Sequence, residues 1–271
     1  MRTSEWIVLG YLLYLAVAAR ARRLPEARRR AILLVAILVA AVIVGLASRP
    51  VTLAMDVARD WAPGIYLLVG FWLSGLFNQG ANIELEAWLE EVDLALWEEL
   101  GLAAGGARLP RAVSGILEFA YLFCYPVVPG GIAALYLSGH RGQADAYWTA
   151  VLAAAYLSYG TLPFFVTRPP RSMERQVSDQ QPPRALRRLN LVILRHASIQ
   201  VNTLPSGHAA VAFAAALALG GPMPLTGAAF GAVACAIAIG AVVGRYHYAL
   251  DVVLGALVGV LAAFAQAMLA G

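Results

Sequence analysis

Charge is scarce in this chain, and lysine is absent from it. Of 271 residues, 13% are charged and 61% are hydrophobic, and the mean hydropathy is +0.70. A soluble domain carries about 25% charged and about 45–50% apolar residues. The chain has too little polar surface for the soluble class, so the composition predicts an integral membrane protein.

Cysteine and metal-binding patterns are equally sparse. The two cysteines, Cys124 and Cys235, each lie inside an apolar run, with no CxxC or Cys/His spacing near them. We therefore interpret both as small hydrophobic residues and expect neither a disulfide nor a metal site. All 20 basic residues are arginines, but no basic stripe with interleaved aromatic residues occurs. This pattern argues against a nucleic acid partner.

What the sequence does have is long apolar runs. A helix needs about 20 apolar residues to cross the hydrocarbon core of a bilayer. Eight candidate spans lie near residues 5–19, 31–48, 62–80, 113–137, 146–167, 207–221, 224–243 and 247–270. They predict an all-α, polytopic membrane helical bundle. The positive charge at 20–30 follows the first run instead of preceding it, so we expect a retained helix with its N-terminus outside.

The arginines are distributed unevenly between the two predicted sides of the membrane. Sixteen of the 20 fall on the side that carries residues 20–30, 78–112, 168–206 and 244–246. Because cytoplasmic loops are enriched in basic residues, this side is expected to be cytoplasmic.

A group of acidic residues and one single acid lie near the apolar runs. In the segment 83–100, Leu85, Leu89 and Val92 recur at helical spacing among seven acids. This pattern predicts an interfacial amphipathic helix whose acids face solvent; a paired-carboxylate site is the alternative. Glu118 lies within the fourth predicted span, where an ionisable group is either functional or solvated at the interface.

Three polar clusters lie at the ends of predicted spans. "TRPPR" at 167–171 follows the fifth, "NTLPSGH" at 202–208 opens the sixth, and "GRYHYALD" at 244–251 opens the eighth. The alternation of spans puts all three on the same side of the membrane. Polar groups near hydrocarbon are costly, so such a conjunction indicates a functional site.

The third cluster can supply a nucleophile. His247 and Asp251 are four residues apart and share one face of a helix. The carboxylate can accept the imidazole Nδ1–H, which leaves Nε2 free to attack an electrophile. A purely structural histidine–aspartate pair is the alternative for this spacing.

The other two clusters can hold an anion. Ser206 and Gly207 precede a helix whose first N–H groups attract anions, and His208 stands one residue inside it. Arg168 and Arg171 offer planar guanidinium groups that match phosphate oxygens. Taken singly, the serine is better explained as an N-cap, and the arginines are equally explained as positive-inside anchors.

Together the clusters resemble the type 2 phosphatidic acid phosphatase superfamily of membrane lipid phosphatases and phosphotransferases. The matching residues are Arg168-Pro169, Pro205-Ser206-Gly207-His208, and His247 with Asp251. The family lysine is replaced by Thr161, and the family Ser-Arg pair falls on Gly240-Ala241, one helical turn before Arg245. "NTLPSGH", "RYHYALD" and "RDWAP" are most similar to the inositol phosphorylceramide synthase-like branch, which transfers a phospho-headgroup between lipids.

The resemblance implies a six-span catalytic core at residues 60–271, preceded at 1–59 by two extra transmembrane helices with a basic loop. It implies a lipid phosphate substrate, a phosphohistidine intermediate, and no metal or cofactor. The implied catalytic residues are His247 as nucleophile, Asp251 as its orienting group and His208 as acid. The implied phosphate-binding residues are Arg168, Arg245, Ser206 and Gly207, with Arg171 as a further contact.

Two questions stay open at this level. The family's site usually faces away from the cytoplasm, in conflict with the arginine distribution. A transporter or scaffold that keeps the fold without turnover is the alternative to an enzyme.

Overall fold

The structure is a bundle of α-helices. The computed structural model describes residues 1–49, 52–99, 110–172 and 185–270. Eleven α-helices lie in these ranges: α1 (Thr3–Ala21), α2 (Glu26–Ala47), α3 (Leu53–Gly75), α4 (Ile83–Glu99), α5 (Arg111–Leu122), α6 (Val127–Leu137), α7 (Ala144–Tyr159), α8 (Ala185–Ala197), α9 (Gly207–Gly220), α10 (Pro224–Val243) and α11 (Ala249–Ala270). The predicted all-α membrane bundle is confirmed.

A helix or helix pair occupies each of the eight predicted span positions, but they differ in length and polarity. Four helices, α1, α2, α10 and α11, are long and apolar enough to cross a membrane. The predicted span 113–137 is the pair α5 and α6, bent by 66°, which would make a fifth. Helices α7 and α9 have only 16 and 14 residues. The first two turns of α3 contain Asp56, Arg59 and Asp60, which lower its hydropathy.

Small residues let the central helices approach closely. Helix α9 packs against α7, α10 and α11. A Cβ atom on Gly255 of α11 would lie 2.3 Å from the Ser206 carbonyl oxygen, and one on Gly259 would lie 2.4 Å from that of Ala210. Such small-residue contacts are typical of helix interfaces in membranes. They bring the start of α11 directly against the start of α9.

Hydrogen bonds connect the loops and helix ends at each of the two opposite ends of the bundle. At one end, Arg2 and Arg141 donate to Asp60 at 2.6 and 2.7 Å, which joins the N-terminus to the loop before α7. At the other end, the Arg28 guanidinium donates to the carbonyl oxygens of Leu76 and Asn78. This second end carries the starts of α9 and α11, so we call it the motif end.

Two helices depart from the sequence interpretation. Helix α4 coincides with the predicted amphipathic helix, but its acids are not all solvated: Glu86 and Asp93 are each 1% exposed. The prediction was wrong for these residues because they pair with arginines of the motif end. Helix α8 was not predicted, since its arginines favoured a basic loop; it buries Asn190 and Leu194.

Candidate active site

Backbone contacts join the three polar clusters at the motif end. The loop after α7, the start of α9 and the loop between α10 and α11 lie side by side. Three N–H groups donate across them: Asn202 to the Thr167 oxygen at 2.7 Å, Ser206 to the Asp251 oxygen at 2.8 Å, and Arg171 to the Arg245 oxygen at 3.1 Å. Clusters far apart in sequence therefore form one site.

The three predicted catalytic side chains lie in a row. His247 Nδ1 is 3.2 Å from Asp251 Oδ2, and His247 Nε2 is 3.4 Å from His208 Nδ1. We assign the tautomer of His247 from these contacts: the carboxylate accepts Nδ1–H, which leaves the lone pair on Nε2, next to the His208 ring. Asp251 is fully buried. The row therefore presents a nucleophilic nitrogen beside a proton donor.

The protonation state of His247 suits this role. The residue is 4% exposed and lies in the short loop between α10 and α11. The prediction that His247 and Asp251 share one helix face was therefore wrong, because α11 begins only at Ala249. Burial, and next the positive charge of Arg171, lower the pKa of the His247 imidazole to about 3. The ring is consequently neutral near pH 7, as a nucleophile must be.

Arg171 is the arginine that faces the histidines. Its guanidinium stacks over the Tyr246 ring, 5.0 Å from the ring centre. It lines a small cavity of about 30 Å³ together with His208, His247 and Gly207. The site thus combines a positive charge, a neutral nucleophile and a proton donor in one space.

Arg168 and Arg245 are turned towards α4 instead. The Arg168 guanidinium pairs with Glu86 at 2.7 Å, and the Arg245 guanidinium pairs with Glu90 at 2.7 Å and with Asp93 at 3.3 Å. Neither arginine lines the cavity that holds the histidines. Of the three predicted phosphate-binding arginines, Arg171, which was predicted only as a further contact, is therefore the one that lines this cavity. The cause is the α4 carboxylates, which the sequence interpretation assigned to solvent.

Ser206 and Gly207 have local structural roles. The Ser206 hydroxyl accepts from the Ala209 N–H at 3.4 Å as the N-cap of α9, and the Gly207 N–H donates to the Thr203 hydroxyl at 2.9 Å. A Cβ atom on Gly207 would lie 2.4 Å from the Tyr159 ring. Glycine is thus required here for packing against a tyrosine, which places His208 in the first turn of α9.

The sequence interpretation missed Tyr246, which is adjacent to His247, and left open whether its partner Glu118 is functional or solvated. The Tyr246 hydroxyl donates to the Glu118 carboxylate at 2.6 Å, and its ring stacks on Tyr121 at 4.0 Å. Glu118 is buried and also accepts from Arg187 and Asn190. For Glu118 the sequence signal was an acid inside an apolar run. Tyr246 itself had none.

The three polar clusters lie in one region of the chain, from the end of α7 to the start of α11. Residues 143–269 match the PAP2 superfamily. This is the superfamily of type 2 phosphatidic acid phosphatases that the motifs resemble, and the matched region contains all three clusters. No curated protein and no solved structure matches the chain. The PAP2 match indicates a phosphatase or phosphotransferase that acts on phosphate esters, and the long apolar helices indicate a membrane protein.

Proposed function

We propose that this protein is an integral membrane enzyme that cleaves or transfers the phosphate, or phospho-headgroup, of a lipid through a phosphohistidine at His247. The observation that carries the proposal is the row Asp251–His247–His208 at a cavity that also contains Arg171. A neutral imidazole, a proton donor and a fixed positive charge are what such a reaction requires.

The first step forms a bond between His247 Nε2 and phosphorus and breaks the bond from phosphorus to the lipid oxygen. The electron pair of the broken bond stays on that oxygen, and His208, which enters this step as the imidazolium, gives it a proton and becomes neutral. Asp251 keeps its hydrogen bond to Nδ1 and stabilises the positive charge that develops on the imidazole. In the second step, the oxygen of water or a lipid alcohol forms a bond to phosphorus, and the bond from phosphorus to Nε2 breaks with its electron pair returning to Nε2. His208 takes up the proton of the attacking oxygen and is again the imidazolium.

Arg171 is the first candidate to neutralise the phosphate oxygens, because its guanidinium already faces the cavity. In a buried site, a fixed positive group strongly stabilises the negative charge that develops in the transition state. Arg168 and Arg245 would join only after leaving their α4 carboxylates. No metal ion is required by this arrangement, since the guanidinium supplies the charge.

A second cavity supports a lipid substrate. It has a volume of about 350 Å³, is lined mainly by apolar and aromatic side chains of α3, α6, α7 and α9, and shares Phe71, Tyr159 and His208 with the histidine cavity. Ligand pockets of roughly this size and character are common in proteins. We propose that one hydrocarbon chain of the substrate occupies it while the phosphate reaches the histidines.

The acceptor distinguishes hydrolysis from transfer. We favour a phosphoric ester hydrolase, in which water is the acceptor. The likeness of "NTLPSGH" and "RYHYALD" to the inositol phosphorylceramide synthase-like branch supports the second candidate, transfer to a lipid alcohol.

The test uses the purified protein in detergent with a panel of phospholipids, and it measures free phosphate and new lipids together. We expect phosphate release that is lost in His247→Ala and unchanged by EDTA. A new phospholipid without free phosphate would favour the transferase. Absence of both products would favour a non-catalytic transporter or scaffold, and equal activity of His247→Ala would contradict a phosphohistidine at His247. Loss in EDTA that Mg²⁺ restores would contradict the metal-free site.

A further inference from the structure

Helix α4 lies outside the region that matches the PAP2 superfamily, yet it contacts the motif end closely. Glu86, Glu90 and Asp93 follow one another at spacings of four and three residues, so they share one face of the helix. All three carboxylates accept hydrogen bonds from the loops that carry the first and third clusters. The contact is polar and specific, unlike that of a helix resting on a lipid interface.

Asp93 binds one group on each side of His247: a backbone N–H after it and a side chain before it. Its Oδ1 accepts the N–H of Ala249, the first residue of α11, at 2.8 Å. Its Oδ2 lies 3.3 Å from the Arg245 guanidinium. Ala249 is two residues after His247, and Arg245 is two residues before it. One buried carboxylate thus links both ends of the loop that carries the histidine.

The loop between these contacts has a conformation that needs support. Arg245 has φ +57°, in the left-handed region that residues with a Cβ atom rarely adopt. Its side chain is 7% exposed and is held by Glu90 at 2.7 Å as well as by Asp93. Residues in such conformations persist only where their surroundings determine them. The α4 carboxylates are part of those surroundings.

We propose that Asp93 is a positioning residue for His247: it fixes the loop from Arg245 to Ala249 so that the imidazole stays between Asp251 and His208. Asp93 does not line the histidine cavity, so it acts through the loop and not on the substrate. This inference rests on the proposed function, in which His247 attacks phosphorus.

The charge of Asp93 gives the proposal a pH signature. Burial is the main cause that raises its pKa, from 3.8 to about 6, against the N–H of Ala249 and the charge of Arg245, which lower it. The negative charges of Asp251 on α11 and Glu90 on α4 raise it further. Asp93 is therefore charged above pH 6 and neutral below it. The pair with Arg245 should weaken as the pH falls through this range.

The experiment compares the wild type, Asp93→Asn and His247→Ala on p-nitrophenyl phosphate between pH 5 and pH 8. Asparagine keeps the shape and can still accept from Ala249, but it lacks the charge that holds Arg245. A small displacement of a reacting group can cost about 10²-fold in rate, so we expect kcat to fall by about 10–100-fold at pH 8 with little change in KM. The ratio of wild-type to Asp93→Asn rates should then approach one near pH 5. Titration of the substrate is common to both proteins and cancels in this ratio.

Glu91→Gln is the matched control, since Glu91 is an exposed acid on the same helix. It should keep wild-type kcat at every pH. Glu90 is the second carboxylate that pairs with Arg245, so Glu90→Gln should lower kcat by a smaller factor. This variant provides a second measurement if Asp93→Asn does not fold. Wild-type kcat in both Asp93→Asn and Glu90→Gln, a ratio that is independent of pH, or a rise in kcat would overturn the inference. Activity of His247→Ala would instead overturn the proposed function.

Discussion

At the scale of single residues, the mechanism gives the two histidines different tasks. The nucleophile is needed whatever group leaves, so His247→Ala should abolish turnover of every substrate. An acid matters only for a poor leaving group, and its help is worth about 10²–10⁴-fold. His208→Ala should therefore lose most activity on a lipid phosphate and keep far more on p-nitrophenyl phosphate, whose phenolate leaves unaided. Steady-state rates on both substrates measure the difference.

A trapped intermediate provides the control for these roles. In His208→Ala supplied with the aryl phosphate, we expect an acid-labile and base-stable phosphoenzyme, as phosphohistidine is, located at His247. If His247→Ala still turns over the aryl phosphate while His208→Ala is inactive on both substrates, the two roles are reversed.

The arginines give a second prediction at this scale. Arg171 faces the histidine cavity, whereas the Arg168 guanidinium lies against Glu86 and is half exposed. Removing a group that stabilises transition-state charge typically lowers kcat by about 10²–10³-fold. We expect a loss of this size for Arg171→Gln and a much smaller one for the matched variant Arg168→Gln. The opposite order would restore the assignment that the motif resemblance implies.

At the scale of structural elements, the sequence predicted the positions of the helices well because apolar runs and polar clusters are local signals. It also indicated that His247 and Asp251 pair, although the loop before α11, and not a shared helix face, brings them together. The pairing of Arg168 and Arg245 with α4 could not be predicted. Those contacts join residues about 80 and 155 positions apart, and amphipathicity alone does not say whether an acidic face meets water or arginine.

The apolar cavity beside His208 gives a prediction for helix α3. Gly64 of α3 lines this cavity, and a Cβ atom there would make only ordinary contact, 3.4 Å from Trp148. In Gly64→Leu the new side chain would displace roughly three methylene groups of a bound hydrocarbon chain, each worth about 0.8 kcal/mol. We expect kcat/KM on a long-chain lipid phosphate to fall by roughly 50-fold, with no change on p-nitrophenyl phosphate.

Gly45→Leu is the matched control for the cavity. Gly45 is exposed on α2, and a Cβ atom there meets nothing within 4 Å. It should leave both substrates unaffected. An equal loss on lipid and aryl phosphate in Gly64→Leu would mean that the substitution disturbs the histidines and that the chain lies elsewhere.

At the scale of the whole molecule, the bundle has two chemically different ends. The motif end collects the basic segment 20–30 and the loops beside the histidines, while the opposite end collects Arg2, Arg59 and Arg141 in pairs with acids. Arginines paired within the bundle report less on topology than unpaired ones. The basic segment at 20–30, with Arg20, Arg22 and Arg23 exposed, therefore carries much of the inference that the motif end faces the cytoplasm.

Two exposed glutamines make this orientation measurable. Gln79 lies at the motif end and Gln143 at the opposite end, so Gln79→Cys and Gln143→Cys form a matched pair in a background with Cys124→Ala and Cys235→Ala. An impermeant thiol reagent is added to intact cells and, as a control for reactivity, to permeabilised cells. The arginine distribution predicts that Gln143→Cys reacts in intact cells, whereas Gln79→Cys reacts only after permeabilisation. The reverse pattern would place the histidines on the outer face, as the resemblance to the superfamily implies, and the basic segment would then be an exception to the positive-inside rule.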